Sequence, residues 1–428
     1  MEGLSRTLLL LQDHVPRDVR DSVIADALLR TQVAVVGDRL NLGTEAGQHA
    51  LVTSALLAAR CGASVHVVVP DLPLLGAHPP LRGDRLEPAL FDVLEDLIPD
   101  VHGSAGLPAA AVDLAILVGD SPWSGRARRV VRLQADAWSG AIVQGSGARW
   151  HDWGSPFGAL AAAGLAAGEV FKVGATRLRD RVAYVSAFDE LFAPIVEATV
   201  PLAPAGTPAP SGDLGCFDCV SGGAIIQAAL FALARIPGAR GFARIIEPDL
   251  SEMSNLNRNM LLLRSGVGAS KAEHISSLGL AAIRIEPVLK RFEASTKQTV
   301  FPLAPTVLVG VDDIPSRWEV QTAWPVWLGV GASTHYSSMA SYHVRGLGCA
   351  RCLHPKDDPG GGAVPTVSFV SHWAGLWIAS LFAREVIGAR PPRSQQSAFF
   401  TSLRADSPTA LWHAGVPIRA QCVCREAA

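Results

Sequence analysis

Twice along this chain a short, continuously apolar segment runs into a turn, then an apolar helical stretch, then a second apolar segment, and that order leaves few folds open. In the first half, residues 32–36 read as a strand, 48–60 as a helix and 64–69 as a second strand ending at Pro70-Asp71. In the second half, residues 216–220 read as a strand, Gly222-Gly223 as a turn, 224–236 as a helix stopped by Pro237-Gly238, and 243–246 as the next strand. Strands that are apolar along their whole length are buried on both faces, and strand-helix-strand units achieve this by laying helices over a mainly parallel sheet. The expected class is therefore α/β.

The likeness between the halves extends further. Residues 116–120 (ILVGD) sit in the first half where 307–312 (VLVGVD) sit in the second, and 155–172 and 368–386 both read as long helices. Three correspondences in the same order point to a divergent internal duplication. At 428 residues the chain exceeds the size at which single cores stop growing, about 250 residues. The Pro-, Ala- and Gly-rich stretch 203–212 (APAGTPAPSG) marks the division, giving domains at 1–202 and 214–428 joined by a linker at 203–213. A hydrophobic share of 49% against 18% charged residues is enough for large cores. The formal charge is −2 with no basic stripe, which argues against a nucleic-acid partner. The Leu8-Leu9-Leu10-Leu11 run is too short to cross a bilayer and lacks the flanks of a signal peptide, so the expectation is a cytoplasmic chain without membrane association.

The chemistry is concentrated in the second half. After the strand at 243–246 comes Glu247-Pro248-Asp249-Leu250-Ser251-Glu252-Met253-Ser254-Asn255-Leu256-Asn257-Arg258, and Lys271 follows within residues 266–273. A later apolar strand ends in Asp312, with Arg317 beyond it. An acid ending the second strand of such a unit is placed to accept hydrogen bonds from ribose hydroxyls, and the turn after the first strand faces phosphates. Glu247 fits the first position, and Gly222 and Gly223 the second. Asn, Arg and Lys side chains nearby could donate to a polyphosphate, and Asp312 is an oxygen ligand suited to magnesium.

This ordered set resembles the ThiF/MoeB/E1 superfamily of activating enzymes, and the likeness spans residues 214–424. The resemblance implies tandem Rossmann-like domains forming a pseudo-dimer, with an inactive first half and a working second half. It implies ATP and magnesium as cofactors, and adenylation of the C-terminal carboxylate of a small ubiquitin-like protein, which then passes to an E2-like or other acceptor protein. Glu247 would hold the ribose with Asp249 supporting it, Asn255, Arg258 and Lys271 would hold the phosphates, and Asp312 the magnesium ion. Arg258, Lys271 and Asp312 would carry the catalytic stabilisation. Relatives also supply an N-terminal arginine from the partner half, a role for which Arg6, Arg17 and Arg20 compete with a plain surface reading. Two departures stand out: Glu247 replaces the usual Asp, and Ser221 and Ile226 replace two glycines of the phosphate turn.

Seven cysteines, four of them in two close pairs, point to metal or redox chemistry rather than disulfides. Cys349-Ala350-Arg351-Cys352 has a zinc-knuckle spacing and Cys422-Val423-Cys424 completes four thiols, with His354 a neighbour expected outside the set. Cys61, Cys216 and Cys219 read as buried structural thiols. The segment 356–366 crosses between the first pair and the next helix, lacks a cysteine, and holds Gly360-Gly361-Gly362, which would let it close over a bound tail. In the first half, Asp38-Arg39-Leu40-Asn41 interrupts the expected glycine turn. Besides adenylation of a ubiquitin-like protein, three other readings stay open. One is a peptide-modifying adenylyltransferase, and another is a pseudoenzyme that binds a ubiquitin-like partner without turnover. A nicotinamide dehydrogenase is the third, and it would leave Lys271 and Asp312 without a role.

Overall fold

The computed structural model describes residues 1–182, 188–357, 364–422 and 424. Seven strands form the first sheet: β1 Gln32–Val36, β2 Ser64–Val68, β3 Gly103–Ala105, β4 Val112–Val118, β5 Ala127–Ala135, β6 Ser139–Val143 and β7 Ala198–Pro201. Eight form the second: β8 Asp213–Val220, β9 Arg240–Ile246, β10 Ala282–Val288, β11 Thr306–Val309, β12 Trp327–Thr334, β13 Ser337–His343, β14 Ser397–Thr401 and β15 Leu411–Ala414. The orders are β3-β2-β1-β4-β5-β6-β7 and β10-β9-β8-β11-β12-β13-β14-β15. In each sheet the first five strands in space are parallel and follow the same permutation of chain order, and the strands beyond them are antiparallel. The molecule is an α/β protein of tandem Rossmann-like domains, and the shared permutation is the structural form of the repeated sequence pattern.

Both sheets reverse direction of winding between their first and fourth strands, β1/β4 and β8/β11, which opens a crevice at the strand carboxyl ends. β4 is buried at all seven positions, as a strand enclosed on both sides must be. A glutamine repeats the symmetry in detail. Gln48 donates to Leu42 O at 3.0 Å in the turn after β1 and accepts from Leu75 N at 2.9 Å; Gln227 donates to Gly222 O at 2.9 Å and accepts from Leu261 N at 3.1 Å. Each ties the turn after the first strand to the segment after the second.

The halves share one continuous core. The helices Phe157–Arg179 and Ser368–Val386 meet across the interface, close enough that a methyl group at Gly164 would lie 3.0 Å from Trp373 Cε2. His372 Nε2 sits 3.1 Å from Leu160 O. Phe157–Arg179 is long and apolar enough to span a bilayer, but 94% of its most apolar window is buried inside the protein.

Boundaries differ from the sequence expectations where caps decide them. The helix expected at 48–60 starts at Glu45, because Thr44 Oγ1 accepts from Gly47 N at 3.0 Å and caps it. The helix expected at 224–236 stops at Leu233, and Arg235 turns back so that its guanidinium lies 3.4 Å from the centre of the Phe231 ring. Cys61 and Cys219 are buried as expected, but Cys216 is exposed. It lies three residues from Cys219, hence on the other face of β8, and next to a register irregularity between Asp213 and Cys216.

Candidate active site

A cavity of about 560 Å³ occupies the crevice of the second sheet, and Glu247, Asp249, Asn255, Arg258, Lys271 and Asp312 all line it. Gly223 lines it as well, whereas Gly222, expected to face the phosphates, packs behind the wall, where a Cβ would lie 3.0 Å from Glu247 Cγ and 3.2 Å from Lys271 Cβ. Each position follows from local structure. Glu247 directly follows β9, and its buried carboxylate accepts from Gly222 N at 2.7 Å and Asp249 N at 3.0 Å. The acid is thereby locked to the turn after β8.

That turn keeps the geometry of a glycine loop without all its glycines. Ser221 adopts a φ of 111°, in the left-handed region where a side chain is strained. Its hydroxyl offsets part of that cost by accepting from Gly223 N at 2.9 Å. Ile226, in place of a second glycine, is accommodated from the opposite side. Gly310 follows β11 beside it, where a Cβ would lie 2.9 Å from Ile226 Cγ1, and Gly331 gives the same clearance to Ile225. The small residues that let helix approach strand here lie on the sheet.

The segment 251–262 presents the nitrogen donors. Asn255 Oδ1 accepts from Glu252 N at 3.1 Å in a reciprocal capping box, which fixes the short turn Met253–Asn255. Arg258 donates to Ser254 O and, at 2.8 Å, to Asn257 Oδ1, and burial together with neighbouring Arg6 pushes its pKa down to about 10 against the opposing pull of Glu252 and Asp312. It stays charged at neutral pH. Lys271 Nζ lies 3.2 Å from Asp249 Oδ2, so Asp249 pairs with the lysine rather than with Glu247's side chain. Arg317 donates at 2.8 Å to Val311 O, steadying the strand end that carries Asp312, and burial lowers its pKa with Asp312 and Asp313 opposing.

Several lining groups, among them Asn259, Arg291, Thr366 and Ser371, were not singled out in the sequence. Asn259 is buried and its Nδ2 has no hydrogen-bond partner, the condition of a donor built for an acceptor that enters the cavity. No spacing signal marked Arg291, Thr366 or Ser371. The surface reading of Arg6 is corrected: it is half-buried and lines the cavity, whereas Arg17 and Arg20 are exposed elsewhere. Thr7 Oγ1 accepts from Asn257 Nδ2 at 2.9 Å, and Thr366 N donates to Arg6 O at 3.3 Å, so the N-terminal helix Ser5–Gln12 is fastened to the cavity wall.

The four cysteines 349, 352, 422 and 424 converge, with every Sγ within 4.8 Å of the others. The separations of 3.8 Å (349–352), 3.3 Å (349–422) and 3.5 Å (352–424) fit thiolates arranged around one tetrahedral ion, whose edge is ~3.8 Å for 2.3 Å bonds. Arg419 N points at Cys352 Sγ from 3.4 Å, a donor suited to a thiolate. His354 lies outside the set. Its Nε2 is 3.2 Å from Arg317 Nη1, and burial and Arg317 hold its pKa down to about 4. Gly360, Gly361 and Gly362 lie outside the described residues.

In class, then, the protein is a tandem Rossmann-like pair with a cavity in the crevice of its second sheet. A family model for the BilD N-terminal domain matches residues 32–186, within the first half. A curated relative, the uncharacterized protein y4jF of Sinorhizobium fredii (strain NBRC 101917 / NGR234), is 29% identical over 145 residues; the match takes in 33% of this chain and 28% of that relative's length. Among solved structures, E. coli MccB with selenomethionyl MccA covers 69% of this chain and 97% of its own at 13% identity and a TM-score of 0.41. PaaA covers 44% of this chain and 69% of its own at 13% identity and a TM-score of 0.36.

Proposed function

We propose that this chain is an ATP-dependent adenylyltransferase of the E1-like kind, which activates the C-terminal carboxylate of a small ubiquitin-like protein for conjugation or transfer. The observation that carries this reading is the convergence of Glu247, Asn255, Arg258, Lys271 and Asp312 on one cavity at the switch point of the second sheet. Glu247 is positioned to receive ribose hydroxyls, and the N-terminal end of the helix Ala224–Leu233 to face phosphate, the N–H groups of Gly222 and Gly223 being taken by Glu247 and Ser221 Oγ. Arg6, Arg258, Lys271 and the free amide of Asn259 supply donors where negative charge grows as the carboxylate attacks the α-phosphorus and pyrophosphate departs. Asp312 would hold magnesium, which would supply positive charge against the phosphates.

The binding-module alternative drew on Ser221 and Ile226. It is weakened by the retained turn geometry and by the clearance at Gly310. The same chemistry on a shorter peptide remains the second reading, favoured by the absence of any cysteine nucleophile among the described lining residues. For the four clustered thiols we propose a structural zinc that pins the C-terminal tail beside the cavity. ATP–pyrophosphate exchange that depends on an added protein or peptide with a free C-terminus tests the function. Exchange is expected with a Gly-ended ubiquitin-like protein. No exchange and no ATP binding would overturn the reading, while exchange with short peptides alone would replace the substrate class.

A further inference from the structure

We infer that Arg60, contributed by the first half, is a positioning residue for the nucleotide site of the second half, an inference that rests on the nucleotide reading above. Arg60 is the last residue of the helix Glu45–Arg60 and is fully buried. Its guanidinium crosses the interface and donates to three backbone carbonyls of the other half: Leu256 O, Met260 O at 3.2 Å and Leu262 O at 2.8 Å. Those carbonyls bracket Arg258 and Asn259, two donors that line the cavity. A planar fork with several fixed N–H directions can hold three carbonyls of an irregular segment at once, which a single ammonium cannot.

Two features separate this contact from ordinary interface packing. The first is the shape of what it holds. Residues 256–262 contain no regular helix or strand, so their carbonyls have no ladder of their own, and Arg60 supplies the donors that secondary structure would otherwise provide. Asn257 fixes the same segment from the other side through Thr7 Oγ1 at 2.9 Å and Thr366 O at 3.2 Å. The second is charge. Arg60 takes part in none of the ion pairs among the described residues, and burial alone depresses its pKa, to about 9. A buried cation stabilised only by carbonyl dipoles is costly for folding by itself. Placed behind a segment that faces a polyanion, its uncancelled field favours the bound state.

The test uses the full chain with Arg60→Lys, which keeps the charge but loses the fork, and Arg60→Met, which loses both. Asp96→Asn serves as a control, because Asp96 also bridges the halves, accepting from Ser265 N at 3.1 Å, without touching residues 256–262. Calorimetry with magnesium and ATP is expected to give an affinity about tenfold weaker for Arg60→Lys and weaker again for Arg60→Met, with Asp96→Asn unchanged. In pyrophosphate exchange the loss should appear in KM for ATP more than in kcat. A purely structural Arg60 would lower the melting temperature of the variants and leave ATP affinity intact, which would overturn the inference. Hydrogen exchange on the unmodified protein keeps the idea exposed if the variants do not fold. Amides 259–262 should be protected without nucleotide and more so with it, and free-loop exchange rates there would also refute it. A wild-type chain that does not bind ATP would instead count against the function.

Discussion

The two halves have the same strand permutation, the same bridging glutamine and the same crevice, yet among the described residues the second crevice holds a cavity while side chains fill the first. In the first half the turn after β1 points its own N–H groups at its own carboxylate: Asp38 Oδ1 accepts from Leu40 N at 3.0 Å and Asn41 N at 2.8 Å. The buried Asn41 then fills the crevice. Its Nδ2 donates to Asp120 Oδ1 at 2.8 Å and Ser121 Oγ at 3.2 Å, and its Oδ1 accepts from Trp150 N at 2.9 Å. Gly119, where the second half has Gly310, faces Asn41 and Trp150 at distances a Cβ would reduce to 2.5 Å. In the second half the turn's N–H groups are also taken, Gly222 N by Glu247 and Gly223 N by Ser221 Oγ, but no side chain among the described residues fills the crevice, and Asn259 Nδ2 on its wall has no protein partner. One crevice has become a self-satisfied core and the other has stayed a site, and the first half contributes instead through Arg6, Thr7 and Arg60.

The largest expected asymmetry is catalytic. Arg258→Ala should slow pyrophosphate exchange by about 10²–10³-fold, the scale of a lost charge contact to a transition state. Asn41→Ala, in the filled crevice of the first half, should leave exchange unchanged. It should instead lower the unfolding free energy by about 1–3 kcal/mol, since it strands Trp150 N and two acceptors. Equal effects on exchange from both would break the comparison.

The thiol cluster belongs to the second half alone. Cys349→Ser should reduce bound zinc well below one per chain by elemental analysis and lower the unfolding free energy by a few kcal/mol. One zinc per chain retained in the variant would refute the four-thiolate site.

Acid should loosen the joint between the halves. Burial lowers the pKa of His372 to about 4, with Arg235 adding to the shift and the bond to Leu160 O opposing it. The folded state therefore binds fewer protons than the unfolded state between about pH 4 and 6.5. Stability is complete above that window and falls as pH drops through it, by up to about 3 kcal/mol for this group. Thermal unfolding at pH 7 and pH 5 checks it, and His372→Gln should shrink the dependence without abolishing it, because burial also lowers the pKa of His343 and of His354 to about 4.

The smallest effect concerns the turn itself. Ser221→Gly relieves a strained φ but gives up the bond to Gly223 N, so stability should change by less than about 1 kcal/mol with ATP affinity kept or improved. A large loss of affinity would mean that the serine hydroxyl contacts the nucleotide.

The fold class was legible because its signal is long: apolar runs in a repeated order survive divergence. The convergence of Glu247, Arg258, Lys271 and Asp312 was also legible, since strand ends and the residues after them are brought to one edge by the topology itself. Arg6 was legible only as one of three candidates and Arg60 not at all, because their roles come from packing between halves, and nothing local distinguishes a buried interface arginine from a solvated one. Cys216 was misplaced although its three-residue spacing from Cys219 on one strand already put the two side chains on opposite faces. The loss of glycine at Ile226 looked like damage until Gly310 was seen opposite it.

Magnesium-ATP titrated into the intact chain, with hydrogen exchange read on the same sample, bears most directly on the division between an open and a closed crevice. One nucleotide per chain is predicted, with protection confined to residues near Ser221, Glu247, Arg258 and Lys271. Binding of two nucleotides, or protection around Asn41 and Gly119, would contradict it.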